Sequence, residues 1–181
     1  MSRLTVPTLQ TAPEASRPAL EGLKKALGTV PNLFAVIGNS PAALNGYLGF
    51  TGALDKGALT GREIELINLH VSELNGCAYC VAAHGALSKR FELSQQDIDR
   101  ARLGVGANDR ENAILALARR ITRTGGAQAG TELELARKAG LNDAQLVEVA
   151  AHVASKVFTN AVGIISQVAI DMPAQANAPK A

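Results

Sequence analysis

The chain has 181 residues, of which 47% are hydrophobic but only 3% aromatic, and it contains no Trp. Its core must therefore be built mainly from Ala, Leu, Ile and Val, a composition that favours close-packed helices. The formal net charge is only +2. No run of Lys and Arg is interleaved with aromatic residues, so a nucleic-acid partner is excluded.

Neither export nor membrane insertion is indicated. The N-terminal sequence MSRLTVPTLQ lacks the apolar segment of a signal peptide, and we expect no stretch long and apolar enough to span a bilayer. We therefore expect a cytoplasmic protein without a membrane partner. In that reducing compartment, two cysteines close in sequence are more often catalytic or metal-binding than a structural disulfide.

The sequence predicts one domain with short extensions at both ends. Residues 1–15 are polar, contain two prolines and are predicted to form an N-terminal arm. Residues 16–172 are predicted to form a single helical domain. Residues 173–181 have the sequence PAQANAPKA, which is a poor helix, and they are predicted to form a flexible tail.

Helix start and stop signals recur from the beginning of this domain. A helix begins at residues 16–18 and ends at the sequence GTVPN. Ser40 and Pro41 form an N-cap and first-turn pair that begins the next helix. Thr60 and Glu63 form a T-x-x-E capping box, which begins a third.

The run after the capping box is predicted to form a helical hairpin. Asn75–Gly76 ends its first helix, and a second helix is predicted from near Cys77 to about Arg90. The first helix carries one apolar stripe at helical spacing, formed by Ile64, Ile67, Val71 and Leu74.

The rest of the chain repeats the same pattern. Ser94 caps a short helix, a longer helix begins at Asn108 and ends at a Gly-Gly pair, and the sequence TELELARKAG forms another. The last helix begins at Asn142 or Asp143 and runs to about Ile170. No segment of useful length alternates with a period of two, so the predicted fold class is all-α.

Both cysteines of the chain lie in the sequence NGCAYCVAAHG. On one helix, Cys77 and Cys80 are i,i+3 neighbours, and Cys80 and His84 are i,i+4 neighbours, so all three share a face. The first turn of a helix favours a thiolate, and His84 can accept a proton from Cys80. A thiolate attacks a peroxide or a disulfide, and a neighbouring thiol can then form an intrachain disulfide.

Glu65 is the predicted partner of His84. It is a carboxylate flanked by apolar residues, and folding of the hairpin brings it near the middle of the second helix, where it can orient the imidazole. A weak internal similarity accompanies it: Glu65 lies twelve residues before Cys77, as Glu148 lies twelve before Asn160. The second copy lacks cysteines and is predicted to be scaffold.

Two other interpretations of the cysteines remain open. They can be small core residues without chemistry. Alternatively, C-x2-C-x3-H supplies three zinc ligands, but a closed structural site needs a fourth, and only His70 or His152 is available for it. We expect both of these histidines to lie in the core or at an interface, and we predict neither a metal nor a cofactor.

The pattern E-x11-C-x2-C-x3-H, formed by Glu65, Cys77, Cys80 and His84, resembles the signature of AhpD-like alkylhydroperoxidases. With the sequence VPNLFAVIGNSPAALNGY, it is most similar to the peroxidase-related branch of the carboxymuconolactone decarboxylase superfamily. The resemblance implies an oligomeric AhpD-like helical bundle that contains the CxxC hairpin. It also implies that Cys80 is the peroxidatic thiol, Cys77 the resolving thiol, and Glu65 with His84 a proton relay.

The sequence departs from the best-studied relatives directly before the second cysteine, where Tyr79 replaces a histidine. The relay can therefore be tuned differently, or Tyr79 can donate a hydrogen bond in its place.

We therefore expect a thiol-dependent peroxidase that reduces alkyl hydroperoxides or hydrogen peroxide. Its partners are a peroxide substrate and a dithiol reductant, with a lipoyl protein as one candidate. Two alternatives stay open: a thiol–disulfide oxidoreductase acting on protein or lipoyl disulfides, and a non-enzymatic redox-sensing oligomer.

A homo-oligomer is expected, because two helices carry apolar residues on more than one face. Leu66 and Leu69 lie off the stripe of the first hairpin helix, and the last helix is apolar on several sides. The resemblance implies a trimer or a hexamer, and it also implies an active site close to a subunit interface.

Overall fold

The computed structural model describes residues 2–172, and the predicted tail at 173–181 lies outside this range. Within the described residues the chain is all-α and contains no β-strand. Short 3-10 helices at Glu14–Ser16 and Ser88–Phe91 accompany the α-helices. The α-helices are α1 (Arg17–Leu27), α2 (Asn32–Ile37), α3 (Pro41–Leu54), α4 (Gly61–Leu74), α5 (Ala78–Leu87), α6 (Gln95–Arg102), α7 (Asp109–Thr124), α8 (Gly130–Lys138) and α9 (Asp143–Ser166).

The capping predictions are confirmed where the side chains are seen. The Ser40 hydroxyl accepts a hydrogen bond from Ala43 N–H at the start of α3, and Thr60 and Glu63 form a reciprocal capping box at the start of α4. Asn142, rather than Asp143, caps α9. The second hairpin helix ends as an α-helix at Leu87 and continues as a 3-10 turn.

Two features differ from the sequence prediction. Helix α2 was not predicted, because six residues are too short for a periodic pattern; its first N–H group is bound by Asp171 Oδ2 at 2.7 Å, far along the chain. Helix α9 ends at Ser166 instead of about Ile170. There the Ser166 carbonyl accepts a hydrogen bond from Arg3 N–H at 2.6 Å, so the predicted N-terminal arm packs against the end of α9.

Helix α4 is the centre of the fold and packs against α5, α6, α7 and α9. Leu66 and Leu69, which the sequence analysis assigned to a second apolar face, are fully buried against α6 and α7 within the same chain. The apolar residues of α4 are therefore covered within one subunit. The expectation that α4 needs a second copy to cover them is wrong.

Helix α9 also bears on the membrane prediction. It contains an 18-residue stretch with a mean hydropathy of 1.2, so it is long and apolar enough to cross a bilayer by length and composition alone, contrary to expectation. Half of that stretch is buried inside the fold, and one such helix is weak evidence for a membrane span.

Candidate active site

The hairpin of α4 and α5 brings Glu65 and His84 together as predicted. The Asn75–Gly76 break, with Gly76 at a φ of +72°, reverses the chain direction between the two helices. Glu65 Oε2 lies 2.9 Å from His84 Nδ1, and both side chains are buried. Since an ionised carboxylate can only accept, Nδ1 carries the proton of this hydrogen bond.

A further donor holds the Glu65 carboxylate. Asn68 Nδ2 donates to Glu65 Oε1 at 3.0 Å, and the Ser88 hydroxyl, which donates its proton to the His84 carbonyl oxygen, lies 3.4 Å from Oε2. Burial raises the pKa of Glu65, but the His84 ring, the Asn68 amide and the charge of Lys156 together outweigh burial and hold it below its usual range. Glu65 is therefore an ionised carboxylate with a fixed orientation.

The other ring nitrogen of His84 meets a residue that sequence reasoning missed. Lys156 Nζ, from the middle of α9, lies 2.8 Å from His84 Nε2. Burial and, next, the charge of Lys156 lower the pKa of His84, against the opposing effect of Glu65. The imidazole is therefore neutral and is held between a carboxylate and an ammonium group.

The two thiols are reduced, and each side chain is about 2% exposed. Cys77 is the N-cap of α5, and its Sγ accepts a hydrogen bond from Cys80 N–H at 3.3 Å. The hydrogen bond from the Cys80 thiol is the largest effect on Cys77; with Asn160 and Lys156 it overcomes burial and lowers the pKa from 9.0 to about 7. The same bond and burial raise the pKa of Cys80. The pair can thus share one negative charge near pH 7, and the directions of the two shifts favour Cys77 as its carrier.

Asn160 is a second residue that the analysis of the sequence did not place in the site. Its side chain lowers the pKa of both thiols, which places it beside the pair. Its amide also accepts from Asn75 Nδ2 at 2.9 Å and donates to Ser72 Oγ at 3.2 Å. The internal similarity, which aligns Asn160 with Cys77, was a signal for this position but was assigned to scaffold.

Tyr79 points away from the relay. Its hydroxyl accepts from Leu33 N–H at 3.2 Å and donates to Asp171 Oδ1 at 2.7 Å. Burial raises its pKa, and Asp171 adds to this effect, so the hydroxyl stays protonated. The tyrosine therefore joins α5 to the start of α2 and to the segment after α9, and forms no hydrogen bond with Glu65 or His84.

The zinc interpretation finds no geometry to support it. In the described part of the chain, no group of three or more His, Cys, Asp and Glu side chains is arranged to hold a metal ion. His84 has both nitrogens engaged, and His70 and His152 are both buried, each with an unpartnered Nε2 atom. Burial lowers the pKa of both.

A cavity of about 360 Å³ lies between α3 and α9, lined in part by Tyr47 and Phe50. These residues were expected to belong to the core or to an access channel. From α9 it is lined by Ala154, Ser155 and Phe158. At 100° per residue, Ala154 and Phe158 lie on the side of the helix opposite Lys156, and Ser155 lies between the two sides. The cavity therefore lies mainly on the side of α9 away from Lys156.

Comparison with known proteins supports the resemblance that the sequence motif indicates. Residues 41–120 match the model of the carboxymuconolactone decarboxylase family. No curated protein matches the chain. The crystal structure of an AhpD-core, peroxidase-related protein from Ralstonia eutropha JMP134 superposes with a TM-score of 0.84 at 26% identity, covering 94% of this chain and 92% of that one.

Two more solved structures share the fold at lower identity. A peroxidase-related protein from Silicibacter sp. TM1040 has a TM-score of 0.76 at 24% identity, covering 97% of this chain and 92% of that one. A cysteine-to-alanine variant of the debrominase Bmp8, in complex with 2,3,4-tribromopyrrole, has a TM-score of 0.75 at 19% identity, with coverages of 94% and 92%. The predicted AhpD-like fold is confirmed, and the fold also serves an enzyme of another activity.

Proposed function

Because the chain carries a carboxymuconolactone decarboxylase family domain in an AhpD-like fold, we propose that it is a cytoplasmic thiol-dependent peroxidase. Its substrates are alkyl hydroperoxides or hydrogen peroxide, and its reductant is a dithiol, with a lipoyl group as the candidate carrier. The observation that carries the proposal is the buried thiol pair in which Cys77 has a pKa of about 7, beside the Glu65–His84 hydrogen bond.

The proposed cycle is balanced within this pair and one external dithiol. A thiolate attacks one peroxide oxygen, the O–O bond breaks, and the sulfur is oxidised to a sulfenic acid while the other oxygen leaves as alcohol or water after taking a proton. The second thiol then attacks the sulfenic sulfur, which forms the Cys77–Cys80 disulfide and releases water. A dithiol reductant supplies two electrons and two protons to restore both thiols.

The resemblance assigns the attacking sulfur to Cys80, whereas the thiol with the lowered pKa is Cys77. Following the resemblance, we expect Cys80→Ser to lose peroxide consumption, and Cys77→Ser to undergo one oxidation that leaves a sulfenic acid on Cys80. Trapping with a dimedone probe, followed by mass spectrometry, identifies the cysteine that carries the sulfenic acid. A sulfenic acid on Cys77 in the Cys80→Ser protein would transfer the attacking role to Cys77.

Glu65 and His84 are proposed to supply and remove the protons of this cycle. A general acid–base partner contributes about 10²–10⁴-fold to a rate, so Glu65→Gln and His84→Ala are expected to slow peroxide consumption within that range. Steady-state consumption with a panel of dithiols, dihydrolipoamide included, measures it. If both cysteine variants turn over peroxide like the wild type, the peroxidase proposal fails.

Burial of the thiols favours a small substrate over the alternative of a protein disulfide. With both cysteines about 2% exposed, a peroxide or a slender lipoyl arm can approach more easily than a folded protein. The same donor panel distinguishes these functions, because a thiol–disulfide oxidoreductase turns over disulfides without peroxide. A redox sensor forms the disulfide once and turns over neither.

We also propose that the chain assembles as a homo-oligomer, a trimer or a hexamer by resemblance. The support is a stripe along α9 at alternating steps of four and three residues, the spacing of a helix–helix seam. Its end residues, Val147 and Ile165, are 69% and 57% exposed. Its residues are Val147, Ala151, Ala154, Phe158, Ala161 and Ile165. A second copy of α9, related by a two-fold axis, would cover this stripe and build a hexamer from smaller units.

A further inference from the structure

Lys156 is a buried cation that the proposed cycle does not yet use. It is 6% exposed in the middle of α9, although lysine is rarely buried without a charged partner. Its hydrogen-bond partner is His84 Nε2 at 2.8 Å, which is a neutral imidazole. The balancing negative charge of Glu65 lies on the far side of that ring.

This arrangement fixes how the imidazole can act. The Glu65 carboxylate accepts a hydrogen bond from Nδ1–H of His84. The lone pair of Nε2 therefore points at Lys156 and accepts a hydrogen bond from its ammonium group. In this state His84 has no free lone pair for a thiol proton. The expected transfer of a proton from Cys80 to His84 therefore requires Lys156 to leave the Nε2 atom of the ring first.

Lys156 also belongs to the side of α9 that faces the thiols. Residues 156, 160 and 163 follow each other at steps of four and three and therefore share one helix face. Asn160 on this face lowers the pKa of both cysteines. A Cβ atom on Gly163 would lie 2.9 Å from Cys77 Sγ, so α9 touches the sulfur directly at this position.

We propose that Lys156 is a positioning residue that holds His84 in its neutral Nδ1–H form and stabilises the thiolate of the Cys77–Cys80 pair, so that it sets the redox potential of the disulfide. A charge that stabilises the thiolate favours the reduced pair over the disulfide, which raises the reduction potential. The inference rests on the dithiol cycle of the proposed function but not on the choice of peroxide as oxidant. The titratable groups that share this environment are Glu65, His84, Cys77, Cys80 and His152.

Two variants remove the charge and one keeps it. Lys156→Met and Lys156→Gln are neutral and of similar length, and replacement of a buried ion by an uncharged side chain is commonly compatible with folding. Lys156→Arg retains a cation that can donate to His84 Nε2. Lys138→Met, at an exposed lysine in the last turn of α8, is the matched control for loss of one positive charge.

The first measurement is the rate of iodoacetamide alkylation against pH. Loss of the Lys156 charge is expected to move the midpoint upward from about 7 and to lower the rate at pH 7 by about three- to tenfold. The alkylation curve of Lys156→Arg is expected to stay close to that of the wild type, and the curve of Lys138→Met is expected to coincide with it.

The second measurement is the equilibrium of the protein disulfide with dithiothreitol, in which reduction of the Cys77–Cys80 disulfide oxidises one dithiothreitol. For Lys156→Met we expect a shift of about tenfold toward the disulfide, which corresponds to a potential about 30 mV more negative. Alkylation and redox curves of both neutral variants that overlay the wild type would overturn the inference, as would an arginine variant that behaves like methionine. If the wild type consumes no peroxide but these shifts occur, the peroxidase proposal fails and the role of Lys156 stands.

Discussion

The sharpest prediction concerns the hydrogen bond between the two thiols. The pKa of Cys77 is lowered from 9.0 to about 7, and the largest cause is the bond from the Cys80 thiol. A change of about two units corresponds to roughly 3 kcal/mol between the thiol and thiolate forms. Cys80→Ala deletes this donor but leaves the backbone N–H of residue 80, Asn160 and Lys156 in place.

We therefore expect Cys80→Ala to raise the pKa of Cys77 by about one unit, because one donor of several is lost. Near pH 7 the thiolate fraction then falls from about one half to about one tenth, so alkylation slows about fivefold. Cys80→Ser retains a hydroxyl that can donate to Cys77 Sγ and is expected to fall between the wild type and the alanine variant.

The assay is iodoacetamide alkylation between pH 5.5 and 10, with mass spectrometry to assign the modified cysteine. The reciprocal variant, Cys77→Ser, is expected to lower the pKa of Cys80, because Cys77 is the main cause of its elevation. A wild-type midpoint near 9, or an alanine variant whose midpoint is unchanged or lower, would refute the shared-charge account. Equal increases in the serine and alanine variants would attribute the effect to packing instead.

Three further predictions follow from contacts and exposure. Gly163→Ala places a methyl group 2.9 Å from Cys77 Sγ, so overpacking is expected to lower the free energy of unfolding by about 1–3 kcal/mol. The control Gly22→Ala in α1, which has open space around it, is expected to raise that free energy by about 1 kcal/mol, and urea denaturation measures both. Ile165→Asp on the exposed stripe of α9 should lower the mass measured by light scattering, and a wild-type mass of 18.8 kDa would contradict an oligomer. Acid should destabilise the fold, because below the ordinary histidine pKa of 6.5 the histidines of the unfolded chain bind protons, whereas the buried histidines of the folded chain stay neutral. The stability that is present above pH 6.5 is then lost as the pH falls, by up to about 1.4 kcal/mol per pH unit for each histidine. Equal urea denaturation midpoints at pH 7.5 and pH 5.5 would contradict this prediction. The histidines are His70, His84 and His152.

The sequence alone determined the features that depend on neighbours within one turn. Capping by Ser40 and the box of Thr60 and Glu63 involve residues three apart, so the pattern of side chains carries the geometry with it. The meeting of Glu65 and His84 was predictable for a related reason, because a two-residue break leaves two successive helices little choice but to fold back together. The all-α class followed from the same local signals.

The tertiary structure decided which faces are covered. Leu66 and Leu69 looked like surplus apolar residues, but the packing of α6 and α7 on α4 buries them within the subunit. Tyr79 was expected near the relay, yet its hydroxyl bonds to Asp171, 92 residues away in sequence. No local pattern encodes such contacts, because they depend on the angles at which distant helices cross.

Lys156 is the clearest case. It was one lysine in an apolar helix, and the reasoning that singled out Glu65 as a carboxylate in an apolar run applies equally to it. Its partner His84 is 72 residues away, and the 2.8 Å contact exists only because α9 packs across the α4–α5 hairpin. The sequence thus determined that this hairpin presents two thiols, a histidine and a carboxylate together. Which charge balances them was decided by long-range packing, since an ion in a low-dielectric interior takes its partner from whichever helix is adjacent in space.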